Sequence, residues 1–133
     1  MRLLDVNTLL LKNFYNEKNT TNRYAILSHR WLHPEDEVTF HDIQSLDISS
    51  MRRKKGYFKL FETSKLAKSQ GLSYVWIDTC CIDRSDSSEL QEAINSMYRW
   101  YHQAATCYVY LGNEGAILEE SCQAIRCDLV ARH

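Results

Sequence analysis

The sequence predicts an α/β sandwich built on a mostly parallel central sheet, and three observations point there. Short apolar runs rich in β-favouring residues alternate with longer segments whose apolar residues recur at helical spacing. The strand-like runs are almost wholly apolar, as strands covered on both faces are. The chain has 133 residues with only four glycines and one proline, and shows no linker or internal repeat before about residue 112. One domain is therefore expected over residues 1–111, followed by a divergent tail at 112–133. A domain of this size buries roughly two-thirds of the surface its unfolded chain exposes.

Taken in order, residues 2–4 are short and apolar, precede the polar "NEKNTTN", and read as an edge strand entering a loop. "RYAILSHRW" (23–31) groups Tyr24, Ile26 and Leu27 and then turns polar. That predicts a buried strand delivering Ser28, His29, Arg30 and Trp31 to its carboxyl end. "EVTF" (37–40) alternates polar and apolar residues, like a short edge strand. From Tyr57 the period changes. Tyr57, Leu60, Phe61, Ser64 and Ala67 share one helical face, and Gly71 falls where a left-handed cap would end it. "SYVWIDTCCI" (73–82) predicts a central strand, apolar until Asp78. Leu90, Ile94, Met97 and Tyr101 then mark a second helix, opened by Asp86 with Glu89 three residues on, the spacing of a capping box. "TCYVYL" (106–111) is a further strand closed by Gly112. Crossovers between such strands should be right-handed, and ligands in open parallel sheets lie beyond the carboxyl ends of the strands. Those ends carry Ser28, His29, Arg30 and Trp31 on one strand and residues 78–83 on another.

Composition narrows the function classes. A formal charge of −1 from interspersed acids and bases leaves no electrostatic footprint for nucleic acid or an anionic membrane, and the basic "MRRKK" (51–55) reads as a solvated surface. The opening apolar run is broken by Asp5, Asn7 and Thr8 and lacks a small-residue cleavage site, so an intracellular protein is expected. No stretch approaches the roughly 20 apolar residues of a membrane span. Five cysteines are an odd number, and the neighbours Cys80 and Cys81 cannot easily bridge one another, which argues for reduced thiols.

The blocks "YAILSHRW", "EVTF", "GLSYVWIDTCCID" and "SSELQEAINSMYRWYHQAATCYVYL", in this order, closely resemble the fungal heterokaryon-incompatibility (HET) domain, and "MRLLDVNTL" resembles the start of such a protein. The resemblance runs from residue 1 to about 111. It implies an effector of fungal non-self recognition and programmed cell death, with other incompatibility proteins or further copies of itself as partners. HET domains are in turn similar to Toll/interleukin receptor (TIR) domains, some of which cleave NAD. The resemblance thus implies a TIR-like three-layer sandwich with NAD as a conceivable substrate and no required cofactor. The chain departs from the family after "CYVYL": the usual segment of type S-x-W-F-x-R-G-W-T-L-Q-E-L, whose glutamate is the counterpart of the TIR catalytic one, is replaced by "GNEGAILEESCQAIRCDLVARH". Enzyme activity is left open by that replacement, as is a non-catalytic interaction module.

Glu89 is the candidate catalytic acid, since the family also places a glutamate at the opening of this helix; its other reading is the capping partner of Asp86. Glu92, one turn on, reads as an exposed helix charge. Asp78 follows an apolar strand and requires a partner for its carboxylate. Arg30 is one candidate, and in a nucleotide site Arg30 would instead face a phosphate. Ser28, His29, Arg30, Trp31 and Asp78 form the candidate cofactor-binding set, with Trp31 able to stack on a ring and His29 to act as acid, base or structural hydrogen-bonder. Cys80 and Cys81 read as core packing rather than as nucleophile or zinc pair, because no C-x-x-C spacing and no activating histidine accompanies them.

Overall fold

The computed structural model describes residues 1–111 and 116–120 of the chain. Its elements are β1 (Arg2–Asp5), β2 (Leu11–Asn13), β3 (Tyr24–His29), α1 (Phe40–Ser45), α2 (Ile48–Arg53), α3 (Tyr57–Ser69), β4 (Tyr74–Trp76), α4 (Asp78–Cys81), α5 (Ser87–Gln103), β5 (Thr106–Leu111) and β6 (Ala116–Glu120). Six strands form one sheet in the order β2-β1-β4-β3-β5-β6.

The sheet is parallel only at its centre. β3 runs parallel to β4 and β5, while β1 is antiparallel to β2 and β4, and β6 is antiparallel to β5. The expected mostly parallel sheet is therefore a mixed one. Strands joined by a helical crossover arrive parallel, whereas strands joined by a short turn, as β1 and β2 are, can only return antiparallel. The central strands read as expected for cover on both faces, with Tyr24 to Leu27 and Tyr74 to Trp76 all buried.

Local readings diverged from the fold in four places. β1 is an inner strand, paired on both sides, and the edge is the short polar β2; Leu3 and Leu4 are fully buried as a result. "EVTF" forms no strand. Thr39 accepts a hydrogen bond from the Asp42 backbone while Asp42 accepts from Thr39 N, a capping box that opens α1. A four-residue alternation is too short to separate a strand from an extended approach to a helix. The run 73–82 is a strand only to Trp76, and residues from Asp78 to Cys81 turn into α4, because an apolar segment buried on all sides carries no period that distinguishes the two. The buried stripe of α3 is Lys59, Leu60, Thr63, Ser64 and Ala67, rotated from the expected face, which leaves Phe61 exposed.

Other expectations match. α3 ends with Gly71 at φ +79°, the left-handed conformation that glycine adopts without steric cost. α5 begins on the side chain of Asp86, which accepts from Ser88 N and Glu89 N. Gly112 and the segment 121–133 lie outside the described residues. The core closes where α5 meets the sheet. Trp76 packs edge-on against Trp100 and Tyr101, and the Tyr24 hydroxyl donates to the Trp100 carbonyl. Among the described residues no helix is long and apolar enough to cross a membrane.

Candidate functional site

The parallel register of β3 on β4 pairs Ile26 with Trp76, so both chains leave the sheet at the same edge and bring His29 and Asp78 together. His29 Nε2 lies 2.7 Å from Asp78 Oδ1, and the Trp31 indole donates to Asp78 Oδ2 at 3.0 Å. Arg84 reaches toward the same oxygen at 3.7 Å and lies over the Trp31 ring, 4.0 Å from its centroid. The His29 ring is 1 % exposed and the Asp78 side chain 21 %, so the carboxylate is the member of the pair that solvent reaches.

Behind His29 sits a buried cation. Lys59 lies on the inner stripe of α3, and its Nζ contacts His29 Nδ1 at 3.0 Å while donating to the Arg30 carbonyl at 2.8 Å and to Glu37 Oε1 at 2.7 Å. Glu37 also accepts from Leu32 N at 2.7 Å, tying down the loop that follows β3. The Lys59 and Glu37 side chains are 3 % and 4 % exposed. A buried ion pair is tolerated when hydrogen bonds complete its geometry, which is the case for both partners here. Gly56 makes room for the pair: a Cβ there would stand 2.7 Å from the Asp36 carbonyl oxygen and 3.0 Å from Glu37 Cα.

Burial pushes the Asp78 carboxyl up, but the hydrogen bonds from His29 and Trp31 and the Arg84 guanidinium outweigh it and hold the group below its ordinary value. The arrangement therefore presents an ionised carboxylate, braced from behind, beside an indole and guanidinium surface. Such a centre can accept hydrogen bonds, stabilise developing positive charge or take a proton.

The candidate residues separate into two places. His29, Trp31 and Asp78 meet as expected. Ser28 is half-buried on β3, on the face of the strand opposite His29. Arg30 does not pair with Asp78: its side chain is exposed, it enters the cluster only through its carbonyl, and Arg84 supplies the guanidinium instead. Successive residues of an extended chain point to opposite sides, so His29 and Arg30 cannot both face Asp78.

Glu89 belongs to a different cluster. It forms a two-pronged ion pair with Arg2, the second contact at 3.2 Å, and accepts from Asp83 N at 3.1 Å. The capping box is thus half present: Asp86 caps the helix, but Glu89 turns to Arg2 rather than back to Asp86. Glu89, Glu92 and Arg2 line a cavity of about 340 Å³ together with Asn13, Ser88 and Trp100. Cys80 and Cys81 are packing residues, as their neighbourhood suggested. The hydrogen bond with Cys81, then burial, pushes the Cys80 thiol well above its ordinary value, which keeps it protonated. Among the described residues no group of three or more His, Cys, Asp or Glu could hold a metal ion.

Sequence reasoning missed Lys59, Glu37, Arg84 and Arg2. Lys59 carried a signal, because it stands at i, i+4 and i+8 with Thr63 and Ala67 on what proves to be the buried stripe. Arg2 carried none, since its partner lies 87 residues away.

Comparison with known proteins agrees with the four sequence blocks. The family model described as heterokaryon incompatibility protein (HET) matches residues 24–128. The chain is 52 % identical over 88 residues to vegetative incompatibility protein HET-E-1 of Podospora anserina, a match that covers 66 % of this chain and 6 % of that protein. No solved structure gives a significant match.

Proposed function

The chain belongs to the heterokaryon incompatibility family, and from that membership we propose that it is the effector portion of a vegetative incompatibility system, acting through the Asp78 centre to bring about death of incompatible cells. The observation that carries this reading is the 52 % identity to an incompatibility protein, in a stretch of 88 residues. The match spans only 6 % of that relative. The test is inducible expression of the chain in a filamentous fungus, scored by vital-dye uptake. Wild type kills and Asp78→Asn, which removes the charge while keeping the shape, does not. Survival of cells that accumulate folded wild-type protein would end this reading.

A second reading, NAD cleavage on a TIR-like architecture with Glu89 as the acid, draws support from the cavity of about 340 Å³ that Glu89 and Arg2 line. In this reading the two-pronged pair with Arg2 orients the carboxylate beside the ribose, where it would stabilise a cation-like sugar. Purified chain incubated with NAD is then expected to release nicotinamide, and Glu89→Gln to release none. No release from wild type, under conditions where a full-length family member is active, removes the reading. Full activity in the variant moves the acid elsewhere.

A further inference from the structure

An ammonium group has three N–H donors and no acceptor. All three of the donors on Lys59 have a partner: His29 Nδ1 at 3.0 Å, the Arg30 carbonyl at 2.8 Å and Glu37 Oε1 at 2.7 Å. A nitrogen that receives such a bond offers a lone pair and carries no proton. The ring proton of His29 must then sit on Nε2, where Asp78 Oδ1 accepts it at 2.7 Å. Glu37 fixes Lys59 in turn, and Leu32 N and the close fit of Gly56 fix Glu37. The chain Glu37, Lys59, His29, Asp78 is therefore ordered in one direction, from a buried anion to a half-buried one.

From this we infer that Lys59 and Glu37 are positioning residues: they hold His29 as the Nε2–H tautomer and so aim its single proton at the Asp78 carboxylate. His29 is then a brace and not a base, because neither ring nitrogen keeps a free lone pair toward solvent. The assignment rests on the reading of Asp78 as the working group only for its functional consequence, since the tautomer follows from the geometry alone. The groups facing His29 are Asp78 at Nε2 and Lys59 at Nδ1, with Trp31 and Arg84 beyond Asp78, Glu37 beyond Lys59, and Tyr110, the register partner of His29 on β5, whose ring centroid lies 5.3 Å from Lys59 Nζ.

Long-range proton–nitrogen correlation spectra of the ¹⁵N-labelled chain at neutral pH test this directly. Wild type is expected to show a protonated Nε2 and an unprotonated Nδ1 on His29. In the paired variant Lys59→Met with Glu37→Gln, which leaves no charge buried alone, Nδ1 loses its donor and the His29 ¹⁵N signals are expected to move away from the pure Nε2–H pattern. In the fungal assay the same folded variant is expected to kill about 10- to 100-fold less well, the range seen when the outer partner that orients a metal-bound histidine is lost. A protonated Nδ1 in wild type overturns the inference, and so do unchanged His29 signals in the paired variant. If the variant does not fold, the wild-type spectrum alone decides. Should wild type fail to kill, the function proposed above falls while the spectra still decide the tautomer.

Discussion

At the residue scale, the least expected feature is a lysine and a glutamate buried together under the sheet edge. Removing one partner strands the other in a low-dielectric interior, so Lys59→Met is expected to cost about 3–5 kcal/mol. The combined Lys59→Met and Glu37→Gln change should cost well under the sum of its two parts. Urea denaturation of the singles and the double measures this, and additive losses would show that the two side chains are not coupled. Gly56→Ala is a second probe of the same spot. The added methyl meets backbone atoms at 2.7 and 3.0 Å, which cannot swing aside, and a loss of about 1–3 kcal/mol is expected. Asp78 sets a pH dependence with a definite sign. Its folded-state value is lowered, so its contribution is complete above the unfolded value near 3.8 and is lost as pH falls through the folded one. Stability of the wild type should therefore drop more steeply than that of Asp78→Asn in acid titrations below about pH 4. Parallel acid limbs would contradict this. His29, Trp31 and Asp78 were legible as a set because strand ends in a parallel sheet converge. Arg84 was not, because its approach to Asp78 depends on how the turn after α4 folds back.

At the scale of elements, the start of α5 was the most readable feature. Capping is chemistry between neighbours, so Asp86 opens α5 as its spacing foretold. Asp86→Ala is expected to lower stability by about 1 kcal/mol, measurable as a shift in the urea midpoint with unchanged slope. The partner of Glu89 was unreadable for the opposite reason. A carboxylate three residues from a cap can turn back to the helix or outward, and the arrival of Arg2 from β1 decided the matter. The same competition explains residues 37–40. Glu37 is drawn inward by Lys59 and Thr39 is held by Asp42, and each bond removes a residue from any strand that alternation would build.

At the scale of the whole molecule, the N-terminal hairpin is part of the sheet although the family match begins only at Tyr24. β1 covers the edge of β4, buries Leu3 and Leu4, and brings Arg2 to Glu89. Each of Leu3→Ala and Leu4→Ala is expected to cost about 2–5 kcal/mol, and removal of residues 1–13 to leave an unpaired inner edge that aggregates. Circular dichroism and light scattering would check this; a cooperative, monomeric truncated chain would mean that the hairpin is dispensable. By itself the sequence determined the alternation of strands and helices, the start of α5, the glycine that ends α3, the family, and the convergence of His29 with Asp78, because each depends on neighbours or on a periodicity along the chain. Only the tertiary structure decided that the sheet is mixed, that β1 lies inside it, and that Lys59, Glu37, Arg84 and Arg2 complete the two polar clusters. Those outcomes depend on which distant groups the packing of the whole fold brings together, and for Lys59 and Glu37, shut away from water, each charge must find the partner that packing supplies.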